Sequence, residues 1–398
     1  MNNLLPASPA PLFSSFWMGG FESSSQINRA GVRVDMIAST QHDLLADLDY
    51  GLLPTQGITT ARDSLRWHLI DRGRQYDFSS LTRQASAAAR HGVQTIWDLC
   101  HYGWPDDLDI YSPAFVERFA RFCAAAARFL GDFSPDAPTY VPVNEISFLA
   151  HAVGEVGFVD PQAPGRGGAL KRQLARAAIA GMEAIWDVDP RARFVHVDPL
   201  IHILPPRGRP ALAARAAQVR DWQFEAWDIL CGRAYPDVGG HPRYLDIIGA
   251  NFYHDGQWEL EGDPLHWAQT PRDARWLPLR ALLAEVWERY RRPVFLSETS
   301  HFGAGRAEWL GEVVEEVCAA LAAGVPVGGV CLYPILDRPD WNDPAHWHNS
   351  GLWDIEPGAD GALLRVLNEE YAAALRQAQR TLSAPLSPRE ERGTKVPR

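Results

Sequence analysis

Two glutamates stand directly after short apolar segments. Glu145 ends the segment YVPVNE, and Glu298 ends the segment PVFLSE. A carboxylate at the end of a buried strand costs free energy unless it is paired or used in chemistry. Glycoside cleavage needs two such carboxylates, and they lie roughly 5–5.5 Å apart when one of them is the nucleophile. A buried salt bridge of either glutamate with Arg62 would also explain the pattern, so both interpretations stay open at this point.

Distant strand ends have to meet if these two glutamates are to act together. Short apolar segments alternate with amphipathic helical segments along the chain, which is typical of a parallel sheet with crossover helices. We predict eight strands, at residues 15–21, 57–62, 94–100, 139–144, 193–198, 245–251, 294–298 and 328–333. We predict helices at residues 112–131, 170–186, 210–230, 277–290, 307–322 and 363–380.

This alternation predicts the α/β class and a single (β/α)8 TIM barrel over residues 1–381. Such barrels routinely contain this many residues in one domain. The sequence has no GxGxxG motif after a strand, which would favour a dinucleotide-binding sheet. Residues 382–398 are polar, charged and rich in proline, so we predict a disordered C-terminal tail there.

The active site of a (β/α)8 barrel lies at the C-terminal ends of its strands. Acidic, amide and aromatic residues collect at the predicted strand ends. In chain order they are Glu22, Gln26, Arg62, His101, Tyr102, Asn144, Glu145, Asn251, Tyr253, Glu298, Tyr333, Asp337, Asp340 and Trp341. The sequence therefore predicts one polar and aromatic rim around both glutamates.

Composition limits the other classes of function. The formal net charge is −11, which argues against a general nucleic-acid binder. The five cysteines are widely separated and include no CxxC pair, as expected for reduced, buried thiols. Residues 1–13 lack the features of a secretory signal, and no apolar stretch approaches the ~20 residues that a membrane helix needs. We predict a cytoplasmic protein with no membrane or nucleic-acid partner, and the oligomeric state stays open.

Six segments resemble glycoside hydrolase family 1, and they occur in the family's order from about residue 14 to 355. The segment FWMGGFESSSQIN resembles the first-strand signature, TTARDSLRWHLI the second-strand segment and LCHYGWP the third-strand motif. PVNE resembles the fourth-strand motif, GANFY the sixth-strand motif and YPILDRPDW the eighth-strand motif. Most of these matches are weak singly, but as an ordered set they are specific.

The resemblance implies a retaining β-glycosidase, similar to β-glucosidases, that acts on a small saccharide or glycoside without a cofactor or metal. It makes Glu145 the general acid/base and Glu298 the nucleophile. The implied substrate-binding residues are Gln26, Arg62, His101, Asn144, Tyr253, Tyr333, Asp340 and Trp341. In these roles Arg62 and Tyr253 would stabilise the ionised form of Glu298, whereas burial and repulsion would keep Glu145 protonated.

The sequence departs from the family pattern close to the proposed site. Ile146 follows the acid/base where the family usually has proline, and Ser297, Thr299 and Ser300 flank the nucleophile in place of the usual Thr-Glu-Asn-Gly. A tyrosine and an aspartate replace the family's usual tryptophan and glutamate near the eighth strand. The chain therefore resembles a divergent branch, and the family's sugar preference is not carried over.

Three alternatives remain from the sequence. A metal-dependent barrel hydrolase could use His101, His196, Asp198 and His202, although neither an HxH pair on the first strand nor an HExxH motif is present. A non-catalytic carbohydrate-binding relative is a second alternative, although both carboxylates are retained. A glycosyl-transferring enzyme with the same machinery is the third, because only the acceptor differs.

Overall fold

The computed structural model of this protein describes residues 11–73 and 75–383. In that part, eight parallel strands close into one barrel, in which neighbours follow chain order and β8 pairs with β1. The strands are β1 (Trp17–Gly20), β2 (Thr60–Ser64), β3 (Gln94–Asp98), β4 (Thr139–Val141), β5 (Arg193–Pro199), β6 (Ile247–Asn251), β7 (Val294–Thr299) and β8 (Val327–Leu332). The predicted single (β/α)8 barrel is confirmed.

Helices surround the barrel. Their bounds are Met36–Ser39, His42–Thr55, Trp67–Ile70, Ser79–Arg90, Pro113–Gly131, Ile146–His151, Gly167–Trp186, Ala213–Asp221, Glu225–Leu230, Leu279–Tyr290, Gly305–Ala322 and Glu369–Ser383. Short 3-10 segments cover Pro210–Leu212, Trp222–Phe224, Pro236–Val238, Pro242–Tyr244 and Ala359–Gly361, and a π-helical turn covers Ala152–Val156. Two short strands outside the barrel, His202–Leu204 and Gln257–Glu259, pair in parallel.

Two predicted helices are wrong in part. The helix predicted at 210–230 is interrupted by the 3-10 turn Trp222–Phe224, where the Gln223 side chain bonds the carbonyl of Arg220 and the backbone N–H of Ile201. The helix predicted at 363–380 begins as a strand, Leu363–Leu367, which pairs with Trp353–Pro357 in an antiparallel hairpin. Half-buried and exposed residues alternate along 363–367, as they do in a strand with one covered face, and the pairing with Trp353–Pro357 replaces the predicted helix there.

The helix Pro113–Gly131 illustrates how the sequence builds the outer layer. Proline occupies its first turn, where the missing N–H costs nothing. Its helical period puts Phe115, Phe119 and Phe122 on one face, with ring centroids 5.0–5.3 Å from Trp67. Burying each such side chain stabilises the fold by about 1.5–3 kcal/mol. The predicted helix start at Ser112 is confirmed, although the Ser112 hydroxyl bonds the carbonyl of Asp109 instead of a helix N–H.

The barrel interior changes from apolar to charged along the strands. Met18, Ile96, Val195 and Phe295 come from four strands and pack in one buried cluster. Because side chains alternate along a strand, a residue two positions further on points to the same side. Asp98 follows Ile96 in this way, and both are about 1% exposed or less. The fold thus carries charged groups to the C-terminal end of the barrel.

The structure also bears on the predictions about the cysteines, membrane helices and the C-terminal tail. All five cysteines have free thiols, and all but the half-buried Cys318 are buried. Within the described residues, every helix is too short or too polar to cross a bilayer. The predicted tail, 382–398, lies outside the described residues except for 382 and 383, which complete the last helix.

A buried ionic cluster joins β2 to the neighbouring helix and to the C-terminal hairpin. The His42 ring lies 2.8 Å from an oxygen of Asp49 and 3.1 Å from one of Asp63. Arg365 of the hairpin holds Asp49 with two bonds, of 2.6 and 2.9 Å. Burial alone would lower the pKa of His42, but Asp63 and Asp49 outweigh it and raise the pKa to about 9. The folded protein therefore binds a proton here more tightly than the unfolded chain does.

The stability of the protein is expected to fall as pH rises through about 9 because His42 then loses its proton. The folded-state pKa is above the ordinary value, so the contribution is complete below pH 6.5 and is lost between the two pKa values. The pKa shift of His42 corresponds to roughly 3 kcal/mol in the free energy of unfolding. Urea unfolding of wild type and His42→Gln between pH 6 and 10 measures it, with the exposed His266→Gln as the control. Parallel stability curves for wild type and His42→Gln would contradict the expectation.

Candidate active site

A cavity of about 300 Å³ opens at the C-terminal end of the barrel. This volume is at the lower end of the range for small-molecule sites, ~300–1,000 Å³. Six of the predicted site residues line it: His101, Glu145, Tyr253, Glu298, Tyr333 and Trp341. The wall also includes Glu22, Ser24, Tyr102, Phe148, His254, Asp255, Ser300, His301, Phe302, Arg338, His348 and Ser350. The cavity is thus acidic and aromatic, as predicted for the rim.

Glu298 is held by one cation and one phenol. It lies in β7, and one of its carboxylate oxygens is 2.6 Å from the Arg62 guanidinium. The Tyr253 hydroxyl donates to the other oxygen at 2.7 Å. Burial and the charge of Glu298 hold the pKa of Tyr253 well above its usual range, so the phenol keeps its proton and remains a donor. Both contacts stabilise the negative charge of Glu298.

The surroundings of Glu145 favour its protonated form, in contrast to the cation and the phenol that contact Glu298. Burial raises the pKa of its carboxyl, and the charge of Glu298 adds to the shift; together they bring it to about 8. The Asn251 amide donates to one of its oxygens at 2.7 Å, and the Tyr102 hydroxyl bonds the other. These two bonds oppose the shift without cancelling it. The raised pKa keeps Glu145 mostly protonated at neutral pH, while Glu298 on the same cavity contacts a cation and a phenol.

The backbone at Glu145 is turned by an unusual conformation. Glu145 has φ of +45°, which a residue with a side chain rarely adopts and which costs on the order of 1–3 kcal/mol. Its N–H bonds the carbonyl of Val197 at 3.0 Å. Two residues later, Ser147 donates its backbone N–H and its hydroxyl to Asp198 at 2.9 and 3.0 Å. Strand β5 thereby fixes the turn that aims Glu145 into the cavity.

A fully buried polar layer lies directly behind the cavity wall. Arg62 bonds both oxygens of Asp98, at 3.0 and 2.6 Å, and also contacts the amide oxygen of Asn144. His101 Nδ1 lies 2.9 Å from Asp98, and its Nε2 lies 3.1 Å from the Asn144 amide nitrogen. With the proton on Nδ1, Nε2 accepts from that amide, so both ring nitrogens are already occupied. Arg62 and Asn144 support the wall without lining it.

Two predicted substrate-binding residues lie away from the cavity. Gln26 is 1% exposed and is absent from the wall, and its side-chain oxygen has no partner among the described residues. Asp340 caps an exposed turn after β8: it accepts the backbone N–H groups of Asn342 and Asp343 at 2.8 and 3.1 Å. Its other oxygen lies 3.3 Å from His348. The structure brings six of the predicted residues together and leaves these two aside.

Some residues of the wall were not assigned a role from the sequence. Glu22 and Tyr102 belong to the rim predicted from the strand ends, but the resemblance assigned a role to Gln26 and His101 and none to these two. Arg338 lies in the loop after β8, where nothing in the sequence distinguishes it from the other cations of the chain. Its side chain reaches back to Glu22, with nitrogen and oxygen 3.5 Å apart. Only the folded loop reveals this contact.

The candidate metal ligands from the sequence do not converge. His101 is bonded to Asp98 and Asn144, whereas His196 is buried near the backbone of Tyr244. Among residues 11–73 and 75–383, no group of three or more His, Cys, Asp or Glu side chains has the arrangement of a metal site.

The chain was also compared with known proteins. No family model matches it, and no curated protein sequence matches it. Solved structures do match. A β-glucosidase from Thermotoga maritima, in complex with methoxycarbonyl-substituted glucoimidazole, has a TM-score of 0.77 at 14% identity, over 92% of this chain and 98% of that one. An enzyme called AHE from Alicyclobacillus herbarius has a TM-score of 0.72 at 17% identity, over 86% and 88%.

A further match, described as a family 1 β-glucosidase from Thermotoga maritima, has a TM-score of 0.75 at 14% identity and covers 93% of this chain and 98% of that chain. Likenesses at this level of identity establish the fold, and the residues of this chain must support any statement about its activity. The barrel described above is therefore the fold found in family 1 β-glucosidases.

Proposed function

We propose that the chain is a retaining β-glycosidase, a divergent member of glycoside hydrolase family 1 whose residues 1–381 form one catalytic barrel. Glu298 is the nucleophile and Glu145 is the general acid/base. One observation supports this above all: two buried glutamates, from β7 and from the turn after β4, line one cavity in opposite electrostatic environments. Retaining glycosidases need one carboxylate and one carboxylic acid flanking the scissile bond.

In the first step, the ionised carboxylate of Glu298 attacks the anomeric carbon of the substrate. The bond from that carbon to the leaving oxygen breaks, and Glu145 gives its proton to this oxygen. The products are the free aglycone and a glycosyl ester on Glu298. Arg62 and Tyr253 hold Glu298 in position, and the Tyr253 hydroxyl can pass from the carboxylate to the developing charge near the ring oxygen.

In the second step, water attacks the anomeric carbon. Glu145, now ionised, takes a proton from the water, and the ester bond to Glu298 breaks. Each step inverts the anomeric carbon once, so the net result is retention. Both glutamates return to their starting protonation states. Within the wall, Trp341 offers an aromatic face to the carbon–hydrogen side of the sugar, and Tyr333 offers a hydroxyl.

The proposal predicts hydrolysis of nitrophenyl β-glycosides with retained anomeric configuration. β-Glucosides are the first candidates, because the solved structures most like this chain include β-glucosidases. A screen of nitrophenyl glycosides finds the substrate, and NMR of the first-formed product identifies its anomer.

An inverted product would contradict the double displacement, because inverting enzymes hold their carboxyl groups roughly 6.5–9.5 Å apart with water between them. Tight sugar binding without turnover of any glycoside would instead indicate a non-catalytic carbohydrate-binding protein. Transfer of the sugar to added alcohols at the expense of hydrolysis would indicate a transglycosidase.

A further inference from the structure

Glu22 is a further carboxylate on the cavity wall, and the proposed reaction does not use it. It follows β1, is 7% exposed and lines the cavity together with His101 and Tyr333. One of its oxygens accepts the Ser24 backbone N–H at 3.1 Å and also bonds the Ser24 hydroxyl. Among the described residues, the other oxygen has one long contact, 3.5 Å, with Arg338. A carboxylate has about four acceptor positions, so Glu22 keeps several free on the cavity side.

Arg338 gives this part of the wall a balanced charge. Its guanidinium lies beside Glu22, and the central carbon of that group is 6.0 Å from the centre of the Trp341 ring. Burial would raise the pKa of Glu22, but the charge of Arg338 and the two bonds from Ser24 act in the opposite direction, and the pKa lies below its usual value. Glu22 is therefore ionised at neutral pH and adjoins a cation. The pair presents acceptors and donors side by side without a large net charge.

Three further polar groups of the wall have no partner among the described residues. They are the hydroxyl of Tyr333, which is 2% exposed, the indole nitrogen of Trp341 and Nδ1 of His254. A buried polar group without a partner is costly, so such groups in a cavity wall usually bond a ligand or water. All three residues line the same cavity as Glu22. The wall therefore offers separate acceptors and donors to one polar ligand.

We propose that Glu22, with Arg338 beside it, binds two neighbouring hydroxyls of the glycone and selects a neutral sugar over an anionic one. This assignment rests on the proposed glycosidase function and adds its substrate class. A carboxylate accepts strong, charge-assisted hydrogen bonds from hydroxyl donors. Glu22 performs the hydroxyl binding that the sequence had led us to expect from Gln26 and Asp340, neither of which lines the cavity.

The carboxylates on the wall argue against anionic glycones. A carboxylate or phosphate on the sugar would have to lie near Glu22 and Glu298, and like charges that are taken out of water repel strongly. A neutral diol can donate to Glu22 and accept from Arg338 at the same time, so it satisfies both members of the pair.

Glu22→Gln combined with deoxy substrates tests the assignment. For the glycone that wild type prefers, monodeoxy nitrophenyl glycosides are prepared at each ring hydroxyl. Wild type should lose about 10- to 100-fold in kcat/KM on removal of either hydroxyl that Glu22 binds. Glu22→Gln should lose a similar factor on the parent substrate but discriminate only a few-fold against those same deoxy substrates. Unchanged discrimination in Glu22→Gln would overturn the assignment.

The control variant is Asp343→Asn, an exposed carboxylate in the same loop as Arg338. It should retain the wild-type pattern with every substrate. Glucuronides and 6-phosphoglycosides form the second arm of the experiment. We expect turnover of the neutral glycoside to exceed theirs by at least tenfold, whereas preferred turnover of either anion would overturn the selection of a neutral sugar.

A binding measurement separates this inference from the proposed function. Titration of the free parent sugar and its deoxy forms, followed by tryptophan fluorescence, needs no catalysis. If wild type binds sugars with the expected discrimination but cleaves none, the role of Glu22 stands and the glycosidase proposal falls. If wild type cleaves the glycosides and Glu22→Gln keeps full discrimination, the glycosidase proposal stands and the role of Glu22 falls. Absence of both binding and cleavage would overturn both.

Discussion

Glu298→Ala is expected to abolish turnover of every glycoside that the wild type hydrolyses. Without the nucleophile no glycosyl ester can form, and the loss should be on the order of 10⁴-fold or more. The truncation leaves a gap beside Arg62 and Tyr253, the two groups that contact the carboxylate. Added azide or formate can enter this gap and attack the anomeric carbon, so either anion should restore part of the activity. The rate of nitrophenol release with and without the anion measures both effects.

The variant should still fold. Arg62 keeps its two bonds to Asp98 and its contact with Asn144 when Glu298 is removed. Circular dichroism and the melting temperature check this. Glu315→Ala is the matched control, because Glu315 is an exposed glutamate on the helix that follows β7. Near-wild-type activity of Glu298→Ala would mean that Glu298 serves only as the partner of Arg62.

Chemical labelling provides an independent measure for the same residue. A 2-fluoro glycoside with a good leaving group should form the ester quickly and lose it slowly, because the fluorine destabilises the positive charge that develops on the sugar in both steps. Mass spectrometry of a protease digest should find the label on the peptide that contains Glu298. A label on another carboxylate would contradict the role of Glu298.

Glu145→Gln is expected to have an effect that depends on the leaving group. A glycoside with a poor leaving group needs the proton of Glu145, and general acid catalysis contributes about 10²–10⁴-fold. An activated aryl glycoside leaves without help and should lose much less in the first step. Glutamine keeps one acceptor oxygen, so it retains the bond from either the Tyr102 hydroxyl or the Asn251 amide and loses the other. Comparing kcat/KM for alkyl and dinitrophenyl glycosides checks the difference, and equal losses for both would contradict the role.

The pH dependence of kcat/KM is a second test of the acid role of Glu145. The reaction needs Glu145 in its acid form, and burial together with the charge of Glu298 raises the pKa of this group. A raised pKa keeps the acid protonated to higher pH, so kcat/KM on poor leaving groups should fall as pH rises through about 8. Glu145→Gln should lack this alkaline limb, and Glu315→Gln should keep it. An alkaline limb that persists in Glu145→Gln belongs to another group.

The strand ends explain how much of the site could be predicted. In a closed parallel barrel every strand delivers its last residues to the same rim, so Glu145 and Glu298 could be named as a pair although 153 positions separate them (298 − 145). The same rule gave His101, Tyr253 and Tyr333, all of which line the cavity. The roles of these residues stay predictions until the variants are measured.

The loops explain what could not be predicted. Gln26 matches a family motif, yet it stands six residues after the end of β1, in a segment whose course depends on contacts made elsewhere. Asp340 matches in position as well, but its carboxylate is used by the backbone of its own turn. Side chains on loops are aimed by tertiary contacts, and a motif gives only their order in the sequence.

Local pattern alone determined the barrel: eight apolar strands that alternate with amphipathic segments have few ways to bury their faces other than a closed parallel sheet. It also determined that two glutamates would stand at strand ends. Only the tertiary structure decided their electrostatic difference, because the contact of Glu298 with Arg62 and the burial of Glu145 arise from strands that are distant in sequence. Only the tertiary structure brought Arg338 to Glu22, because a long side chain on a loop finds its partner across space, where sequence spacing carries no information.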